Sequence, residues 1–592
     1  MGRFIVAIAA AAVLCAYCAG ALAATPRAVV QGDLPADLKA EIVQAIGDTD
    51  RPIPNRFEAR RRAYAAAEAA IAVLRAEGYY AYSVEPDVGD GDTPASIVQV
   101  KPGPRFNLRD ARVTWRGEPP VLPTQAAARD AIGLKDGTPG RAADVLAAEG
   151  RVVATVQKHG YADVAAEPRE VVVDHADESI SPEFRIAAGR LVRLGAIDLV
   201  QATRTSRAWV QRLATWGPGE VYDPDDVAEI ERRLLETSVY DSVAVALAPP
   251  EQTTEGGLRP VVISLADRKP RTIEVGASWG TTEGYGFDAR WTRYNILHRA
   301  DTLSIFARLS ELDSRVDGEI RLPHWLRPRQ TLRFGAAAYR VRTDAYDETG
   351  FGIRADVQRR YRRTSYITAG GSIDVSNTDE KRPQTLTPLG RRVVTISLLG
   401  DFALDRSDHP LDPKRGWRLT ARAEPTMLVG AVNRPYLKLT GQGAYYLPLS
   451  NGGRSVVAGR LRAGVIVGGS IPEVPASRRF YAGGGGSVRG YAFQAVGPRL
   501  SDNTPQGGLS LLEATAELRQ HVTGPWGVAV FVDAGAVGTN EFPRSRDLSI
   551  GGGIGVRYDL GFGPLRADVA VPFDKRQGDA AYQIYISIGQ SF

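Results

Sequence analysis

The second half of the chain, from Arg271 to Phe592, is a succession of short runs in which apolar and polar residues alternate. Alternation with a period of two predicts β-strands that have one apolar and one polar face. Three runs show it clearly, with apolar faces formed by Ile273, Val275, Ala277 and Trp279, by Val394, Ile396, Leu398, Phe402 and Leu404, and by Trp526, Val528, Val530 and Val532. Such strands fit a transmembrane barrel with a polar lumen, and they also fit a water-soluble β-sandwich.

The last run of the chain bears on the choice between barrel and sandwich. Its apolar residues alternate with polar ones, and Phe592 is expected in phase with them; they are Tyr582, Ile584, Ile586 and Ile588. A terminal phenylalanine that closes an amphipathic strand resembles the recognition signal of bacterial outer-membrane barrels, which favours the barrel. Beyond the N-terminal segment the sequence has no run of about 18 apolar residues, so transmembrane helices are not expected. We therefore expect strands to cross the membrane.

The N-terminus predicts a secretory signal peptide over residues 1–23. Met1-Gly2-Arg3 is a short charged start, an apolar stretch follows, and Ala21-Leu22-Ala23 has the small-x-small form of a cleavage site. A membrane anchor is the alternative interpretation of this segment.

Composition excludes several kinds of chemistry. Both cysteines, Cys15 and Cys18, lie in the predicted signal, so we expect no disulfide, thiolate metal site or cysteine nucleophile in the mature chain. The histidines do not pair at ligand spacing, so neither a metal site nor another cofactor is expected. A formal charge of +5 on 592 residues is too diffuse to predict nucleic-acid binding. Without a nucleophile motif, an enzyme fused to the barrel is also not expected.

Between the signal and the strand-rich half, helical periodicity predicts three amphipathic helices. The first covers roughly Arg56 to Glu77, the second about Arg141 to His159, and the third begins at Pro224 after Asp223 as N-cap. The residues expected on their buried faces are Phe57, Tyr64, Ile71 and Leu74 in the first, Val145, Val152 and Val156 in the second, and Val227, Ile230 and Leu234 in the third.

A tyrosine follows each helix at a regular interval. Tyr79, Tyr161 and Tyr240 are spaced about 80 residues apart, which indicates an internal repeat. Gly78 and Gly160 end the first two helices, whereas the third repeat has Ser238-Val239 and leaves its helix end open. Extended segments follow each junction, so we expect three α+β modules, with one larger α/β domain as the alternative.

One glycine-rich stretch stands out among the predicted strands. Residues 478–491 read R-R-F-Y-A-G-G-G-G-S-V-R-G-Y and present Arg489 directly after Val488. A flexible surface loop with a solvated arginine is one interpretation. A phosphate-binding loop is not favoured, because no Lys-Ser/Thr pair and no helical pattern follow the glycines.

This stretch resembles the signature loop of the outer-membrane insertase and transporter superfamily that includes BamA, TamA and the two-partner secretion transporters. In that family the loop folds back into a barrel, sixteen strands in size, and its arginine pairs with carboxylates on the inner wall. The resemblance implies a functional loop of Val488, Arg489, Gly490 and Tyr491, barrel-wall partners Glu517 and Asp533, and a C-terminal strand signal at Phe592.

The two carboxylates also follow from the alternation. Glu517 lies on the polar face of its strand in T-A-E-L-R, and Asp533 points opposite to Val532 in F-V-D-A-G, so both should face the lumen. A solvated lumenal carboxylate is the alternative for each. Weaker family-like stretches cover residues 408–416, 551–555 and 563–566, and turn chemistry alone would also explain them.

The resemblance implies α+β POTRA-like repeats followed by an all-β transmembrane barrel. The expected domains are a signal peptide (1–23), three POTRA-like modules (24–105, 106–190 and 191–269) and the barrel (270–592). Three modules fit a TamA-like member better than the five of BamA or the two of two-partner secretion transporters. The implied function is outer-membrane insertion of β-barrel or autotransporter proteins, with a secretion pore for one dedicated polypeptide as the alternative. The implied partners are unfolded clients, the bilayer and a TamB-like inner-membrane protein.

Overall fold

The computed structural model describes residues 25–49, 51–90, 94–280, 284–362, 364–381, 389–450 and 452–592. The predicted signal peptide, residues 1–23, lies outside the described residues. The chain divides into two compact units. One comprises the described residues up to Asp198 with Thr215–Glu229 and Ala246–Val262, and the other comprises the described residues of Leu199–Ala214, Ile230–Val245 and Ile263–Phe592.

The first module packs two helices on a three-stranded sheet. Its elements are β1 (Thr25–Pro26), β2 (Val29–Gln31), α1 (Ala36–Ile46), β3 (Asp48–Thr49), α2 (Arg56–Ala76), β4 (Ser83–Val88) and β5 (Ser96–Lys101). The sheet has the order β2-β5-β4, and β1 pairs with β3 separately. Leu38 and Ile42 of α1 meet Val98 and Val100 of β5 in the core.

The buried face of α2 differs from the prediction. Leu74 is buried as expected, but Phe57 and Tyr64 are 78% and 59% exposed. The buried side is instead formed by small residues, Ala59, Ala63, Ala66, Ala67 and Ala70. Alanines let the helix backbone approach α1 and the sheet closely, so the bulky aromatic side chains are left on the water side.

The second module has the same two-helix composition around a larger sheet. Its elements are β6 (Asn107–Leu108), β7 (Arg112–Arg116), α3 (Leu122–Ile132), α4 (Ala142–Lys158), β8 (Ala165–Ala166), β9 (Glu170–Asp174) and β10 (Ser179–Ala187). Strand β10 is central, parallel to β6 and β7 and antiparallel to β8 and β9. The predicted face of α4, with Val145, Val152 and Val156, is confirmed as part of the core.

The third module contributes residues to both compact units. Its elements are β11 (Arg193–Leu199), α5 (Arg207–Gln211), α6 (Pro224–Glu236), β12 (Tyr240–Leu247), a 3-10 turn (Pro250–Gln252) and β13 (Leu258–Asp267), with the sheet order β11-β13-β12. Asp223 Oδ1 accepts a hydrogen bond from Asp225 N at 2.8 Å, as expected of an N-cap. Burial raises the pKa of the Tyr240 hydroxyl, which lies 2.6 Å from Thr205 Oγ1. The boundaries between the three modules stay a prediction.

The three helix ends share one backbone conformation despite their different sequences. Gly78 and Gly160 have φ values of 88° and 97°, and Ser238 takes the same left-handed region with φ 60°. The next residue is buried in each repeat, so Val239 occupies the place of Tyr79 and Tyr161. The third repeat therefore keeps the junction and accepts a strained serine where glycine would be unstrained.

Within the described residues, sixteen consecutive antiparallel strands form the barrel sheet. They are β14 (Arg271–Gly280), β15 (Gly284–Tyr294), β16 (Thr302–Ser310), β17 (Asp313–Leu322), β18 (Gln330–Arg342), β19 (Tyr346–Arg360), β20 (Tyr366–Glu380), β21 (Leu389–Asp405), β22 (Gly416–Gly430), β23 (Arg434–Pro448), β24 (Ser455–Val467), β25 (Ser510–Thr523), β26 (Trp526–Gly538), β27 (Leu548–Asp559), β28 (Pro564–Pro572) and β29 (Gln583–Ile588). The strand order follows the sequence order, with β14 and β29 at its two ends.

The strands are two-faced as predicted. In β21 the apolar Ile396 and Leu398 are exposed on the outer wall, whereas Thr395 and Ser397 are buried on the inner side. The predicted apolar residues of β26 are likewise exposed, and those of β14 are exposed where their side chains are described. Trp279 lies outside the residues whose side chains the structure describes. Among the helices of the described ranges, none has the length and apolarity needed to cross a bilayer.

The expected phase of Phe592 was wrong. Strand β29 ends at Ile588, and Gly589 adopts φ 90°, which breaks the alternation. The Phe592 ring then packs inward, stacked on Tyr446 of β23 with 6.2 Å between ring centroids. Its proposed role as a strand signal stays a prediction.

Candidate functional site

The glycine-rich stretch lies in the loop of residues 468–509 between β24 and β25, and part of it is deeply buried inside the barrel. Val488 and Tyr491 are 0% exposed and Arg489 is 1% exposed. Gly483 and Gly490 have φ values of 107° and 101°, a region that disfavours side chains. A Cβ at Gly490 would also lie 2.6 Å from the carbonyl oxygen of Val571, so glycine is required for this close approach.

Arg489 directs its charge onto the two predicted carboxylates. Its Nε donates to Asp533 Oδ2 at 2.7 Å, and its Nη2 donates to Asp533 Oδ1 at 3.0 Å. The backbone N–H of Arg489 donates to the same carboxylate at 3.0 Å. Nη1 donates to Glu517 Oε2 at 2.9 Å. The structure thus brings together the three charged residues that the sequence singled out, with a two-pronged arginine pair at the centre.

A third carboxylate, Asp568 of β28, completes the group. Arg489 Nη1 also donates to Asp568 Oδ2 at 3.1 Å. Asp568 was missed in the sequence because the family-like stretch was followed only to Arg566, two residues before it. The signal was present, since Arg566 and Asp568 alternate with apolar residues on the polar face of β28.

Other arginines balance the buried carboxylates. Arg557 donates to Asp568 Oδ1 at 2.6 Å, Arg519 donates to Glu517 Oε1 at 2.9 Å, and Arg566 lies 3.6 Å from Asp568. The cluster therefore consists of Arg489 from the loop and of positively and negatively charged side chains from four strands, β25 to β28. Because these groups are almost fully buried, each charge depends on its partners for compensation.

The glycines of β26 and β27 make room for the loop. A Cβ at Gly551 would collide with the carbonyl oxygen of Arg489, and one at Gly535 would collide with the side chain of Val488. The guanidinium carbon of Arg489 lies 3.3 Å from the ring centroid of Phe531, which places the cation over the ring face. Gly551, the first glycine of the 551–555 run, is therefore part of the loop's docking surface, as is Gly535.

Tyrosines fix the loop on either side of the arginine. The Tyr491 hydroxyl donates to the carbonyl oxygens of Ile550 at 3.2 Å and Asp574 at 3.1 Å. Tyr585 of the last strand accepts from Gly490 N at 3.2 Å and donates to Tyr491 O at 2.9 Å. The loop is thus tied to β29 as well as to the inner wall.

A second set of contacts holds the loop on β19 and β20. Arg478 Nη2 donates to Asp374 Oδ1 at 2.6 Å, and Arg479 Nη2 donates to Glu380 Oε1 at 2.9 Å. Ser477 Oγ donates to Glu348 Oε1 at 2.9 Å. These arginines were expected in the loop, but their partners, which lie about 100 residues away in the chain, were not predicted.

The stretch of residues 408–416 forms the turn between β21 and β22. Asp408 Oδ1 accepts from the backbone N–H groups of Lys414 at 2.9 Å and Arg415 at 3.2 Å. Gly416 has φ 102° and leads into β22. Turn chemistry explains this stretch, and the turn lies on the opposite end of the strands from the loop of residues 468–509.

The chemistry of the site is that of an anchor. Among the described residues, no group of three or more His, Cys, Asp or Glu side chains has an arrangement that would hold a metal ion. The Arg489 cluster pairs one cation with three carboxylates through charge-assisted hydrogen bonds. It fixes the loop inside the barrel.

A model of the Omp85 superfamily domain matches residues 295–592, which span half of the chain and contain the whole Arg489 cluster. The chain belongs to the Omp85 superfamily. Two outer membrane protein assembly factors named BamA are similar to it. That of Neisseria meningitidis serogroup B is 21% identical over 562 residues, 84% of this chain and 68% of that protein. That of Neorickettsia risticii is 20% identical over 539 residues, 87% of this chain and 70% of that protein.

A solved structure supports the fold. The crystal structure of BamA from Haemophilus ducreyi lacking POTRA domains 1–3 has a TM-score of 0.69 and 17% identity, and the match covers 81% of this chain and 99% of that one. The predicted fold class, α+β POTRA-like repeats followed by a sixteen-stranded barrel, is confirmed. This Omp85 protein is located in the outer membrane, with its N-terminal modules in the periplasm, and acts in outer-membrane protein assembly.

Proposed function

We propose that this Omp85 protein is a TamA-like translocation and assembly factor that helps β-barrel or autotransporter clients insert into the outer membrane. It acts without catalysing a covalent reaction. Its periplasmic part consists of three POTRA-like modules, residues 24–105, 106–190 and 191–269. The three helix pairs, each packed with its own small sheet, support this division.

The observation that carries the proposal is the shortness of the last barrel strand. Strand β29 has six residues, whereas β19 and β20 have fifteen each. It pairs with β28 from Gln583 to Ile588 and is then ended by Gly589. A short terminal strand has few ladder hydrogen bonds to lose, so the seam between β29 and β14 is where a client strand can pair without leaving a bare edge in lipid.

The periplasmic modules supply the contacts with other proteins. Strands β2 and β4 are the two outer strands of the first sheet, and outer strands can accept an extended segment of another chain. We propose that unfolded clients and a TamB-like inner-membrane-anchored protein use such edges. Co-purification of the intact chain with that partner, lost when residues 24–105 are deleted, is the expected result.

The alternative is a two-partner-type pore that exports one dedicated polypeptide through the lumen. The loop of residues 468–509 is fixed inside the barrel at the Arg489 cluster and again at Asp374 and Glu380. The two-partner secretion transporters belong to the same superfamily, whose loop folds back into the barrel, so this anchor is compatible with both functions. Planar-bilayer recordings separate the two functions, because a secretion pore gives large, stable conductance and the assembly factor gives little.

Disulfide cross-linking tests the proposed seam directly. Cys15 and Cys18 lie in the predicted signal, so introduced cysteine pairs are the only thiols in the mature chain. Pairs scanned between β14 and β29 are expected to cross-link and to stop client assembly, with recovery on reduction. The matched control is Ala567→Cys with Ile586→Cys, which are register partners in β28 and β29. A disulfide between them joins the last strand to β28 and leaves the seam with β14 free.

Client assembly is measured as the amount of folded β-barrel and autotransporter protein in the outer membrane of cells that carry each variant. Full assembly by the seam-locked chain, or an equal loss in the hairpin control, would contradict the proposal. An outer-membrane proteome unchanged by deletion of the gene would favour the secretion pore.

A further inference from the structure

Residues 589–592, here named the tail, follow the last strand and turn into the barrel lumen. The N–H of Gly589 donates to Pro564 O at 2.7 Å, and the N–H of Gln590 donates to Leu411 O at 3.0 Å. Gln590 Nε2 also donates to Asp412 Oδ1 at 2.8 Å. The tail is thus directed across the turn of residues 406–415 toward the Arg489 cluster.

Ser591 reaches the cluster itself. Its hydroxyl donates to Glu517 Oε2 at 3.1 Å, the same oxygen that accepts from Arg489 Nη1 at 2.9 Å. A carboxylate oxygen that receives two donors is held in place by both of them. If Ser591 is withdrawn, Glu517 loses one of the contacts that orient it toward Arg489.

Phe592 contacts two arginines that hold other parts of the anchor. Its ring centroid lies 5.3 Å from the guanidinium carbon of Arg519 and 5.6 Å from that of Arg460. Arg519 donates to Glu517 Oε1 at 2.9 Å. Arg460 donates to the loop carbonyl oxygens of Gly486 at 2.8 Å and Ser487 at 3.1 Å. An aromatic ring favours both cations through its quadrupole and keeps water from them.

We propose that Ser591 and Phe592 are positioning residues that couple the last strand to the loop anchor. When β29 moves away at the seam, Ser591 leaves Glu517 and Phe592 leaves Arg460 and Arg519. The loop is then held less tightly at Arg489, so opening of the seam and release of the loop become one event. This inference rests on the proposed function, since it uses the seam that a client is to enter.

The readout is the accessibility of a buried loop position. Val488 is 0% exposed and contacts the inner wall at Gly535. In the mature chain, Val488→Cys therefore introduces a buried thiol that reacts only when the loop is released from the wall. The rate of maleimide labelling of the full chain in lipid nanodiscs reports how often the loop is released.

Ser591→Ala and Phe592→Ala are each expected to raise the labelling rate about 10-fold, the effect of weakening a hydrogen bond or contact to a charged group. Ser591→Thr and Phe592→Tyr, which keep the hydroxyl and the ring, are expected to restore the slow rate. The matched control is Ile588→Ala. Ile588 is the last residue of β29, directly before the tail, and its side chain lies on the outer wall and is 58% exposed. Its labelling rate should equal that of the Val488→Cys chain alone.

Seam locking separates coupling from simple loosening. A β14–β29 disulfide is expected to slow labelling in the chain with an intact tail and to have little effect in the Phe592→Ala chain. If Phe592→Ala does not fold, the Ser591→Ala chain, which lacks one oxygen atom, carries the same test. Unchanged labelling in the tail variants, or an equal slowing by the lock with and without Phe592, overturns the coupling.

The failure of this inference differs from the failure of the proposed function. If the seam lock stops client assembly while the tail variants label slowly, the assembly function stands and the coupling is wrong. If the tail variants label fast while the locked chain still assembles clients, the coupling stands and the seam is not the client's entry.

Discussion

Strand β10 of the second module and strand β25 of the barrel alternate with the same period and bury opposite kinds of side chain. In β10 Phe184 and Ile186 are fully buried. In β25 Glu517 is buried and Leu518 is 45% exposed. Water surrounds the module, whereas hydrocarbon surrounds the barrel wall, so apolar side chains face inward in one and outward in the other. A period of two identifies a strand, and the solvent decides which face becomes the interior.

The largest effect within the modules is expected from emptying the core of β10. Phe184→Ala is expected to lower the free energy of unfolding by about 3–5 kcal/mol, because it removes a fully buried ring and leaves a cavity. Urea unfolding of the full chain in detergent, followed by far-UV circular dichroism of the module transition, measures it. Val172→Ala on β9, at a side chain that is 55% exposed, is the control and should change little.

A charge placed on an exposed valine distinguishes the two surroundings. Val530→Arg on the outer wall of β26 is expected to cost about 2–4 kcal/mol if it lies near the bilayer centre. Val172→Arg in the second module is expected to stay within about 0.5 kcal/mol. The two valines are 54% and 55% exposed, so the comparison is matched in exposure and contrasts water with hydrocarbon. The loss of unfolding free energy is measured by urea titration in lipid vesicles. Equal losses for the two variants would contradict the difference in surroundings between the barrel wall and the module.

The smallest effect is expected at the exposed face of α2. Phe57→Ala should change the free energy of unfolding by less than about 0.5 kcal/mol, because its ring is 78% exposed. Ala70→Leu, on the buried alanine face, is expected to destabilise the first module by about 1–3 kcal/mol through overpacking. Thermal unfolding of both variants checks the comparison. A large loss of unfolding free energy for Phe57→Ala would instead support the prediction that Phe57 lies on the buried face of α2.

The α2 and barrel results show where sequence reasoning was sufficient. A strand has only two faces, so alternation placed Glu517 and Asp533 on the polar face, and the barrel fold makes that face the interior, where both are buried. A helix, in contrast, can bury any side of its circumference, so the buried side must be chosen among several. On α2 an alanine stripe and an aromatic stripe compete, and close packing favoured the alanines. Hydrophobicity by itself does not express that preference.

Two features of the site were beyond the sequence for a different reason. The inward turn of Phe592 depends on the positive φ of Gly589, which ends the alternation that the prediction extended. The partners of Arg478 and Arg479 come from β20, at Asp374 and Glu380, and only the inward fold of the loop brings them together. Side chains so far apart in sequence carry no local pattern that would pair them.

The central claim is that the Arg489 cluster anchors the loop, and a double-mutant cycle on Arg489 and Asp533 tests it most directly. Arg489→Ala is expected to cost about 3–5 kcal/mol of barrel stability because it leaves buried carboxylates uncompensated. Asp533→Ala should lower barrel stability less, because Arg489 still forms ion pairs with Glu517 and Asp568. The matched control is Arg422→Ala, which breaks a half-exposed pair with Asp401 and should cost at most about 1 kcal/mol.

Urea unfolding in lipid vesicles and client assembly in cells are measured for all four members of the cycle. If the pair acts as one anchor, the double variant is little less stable than Arg489→Ala alone, and the two have the same assembly defect. Costs that add, or normal stability and assembly for Arg489→Ala, would contradict the anchor and leave the arginine as a loop charge.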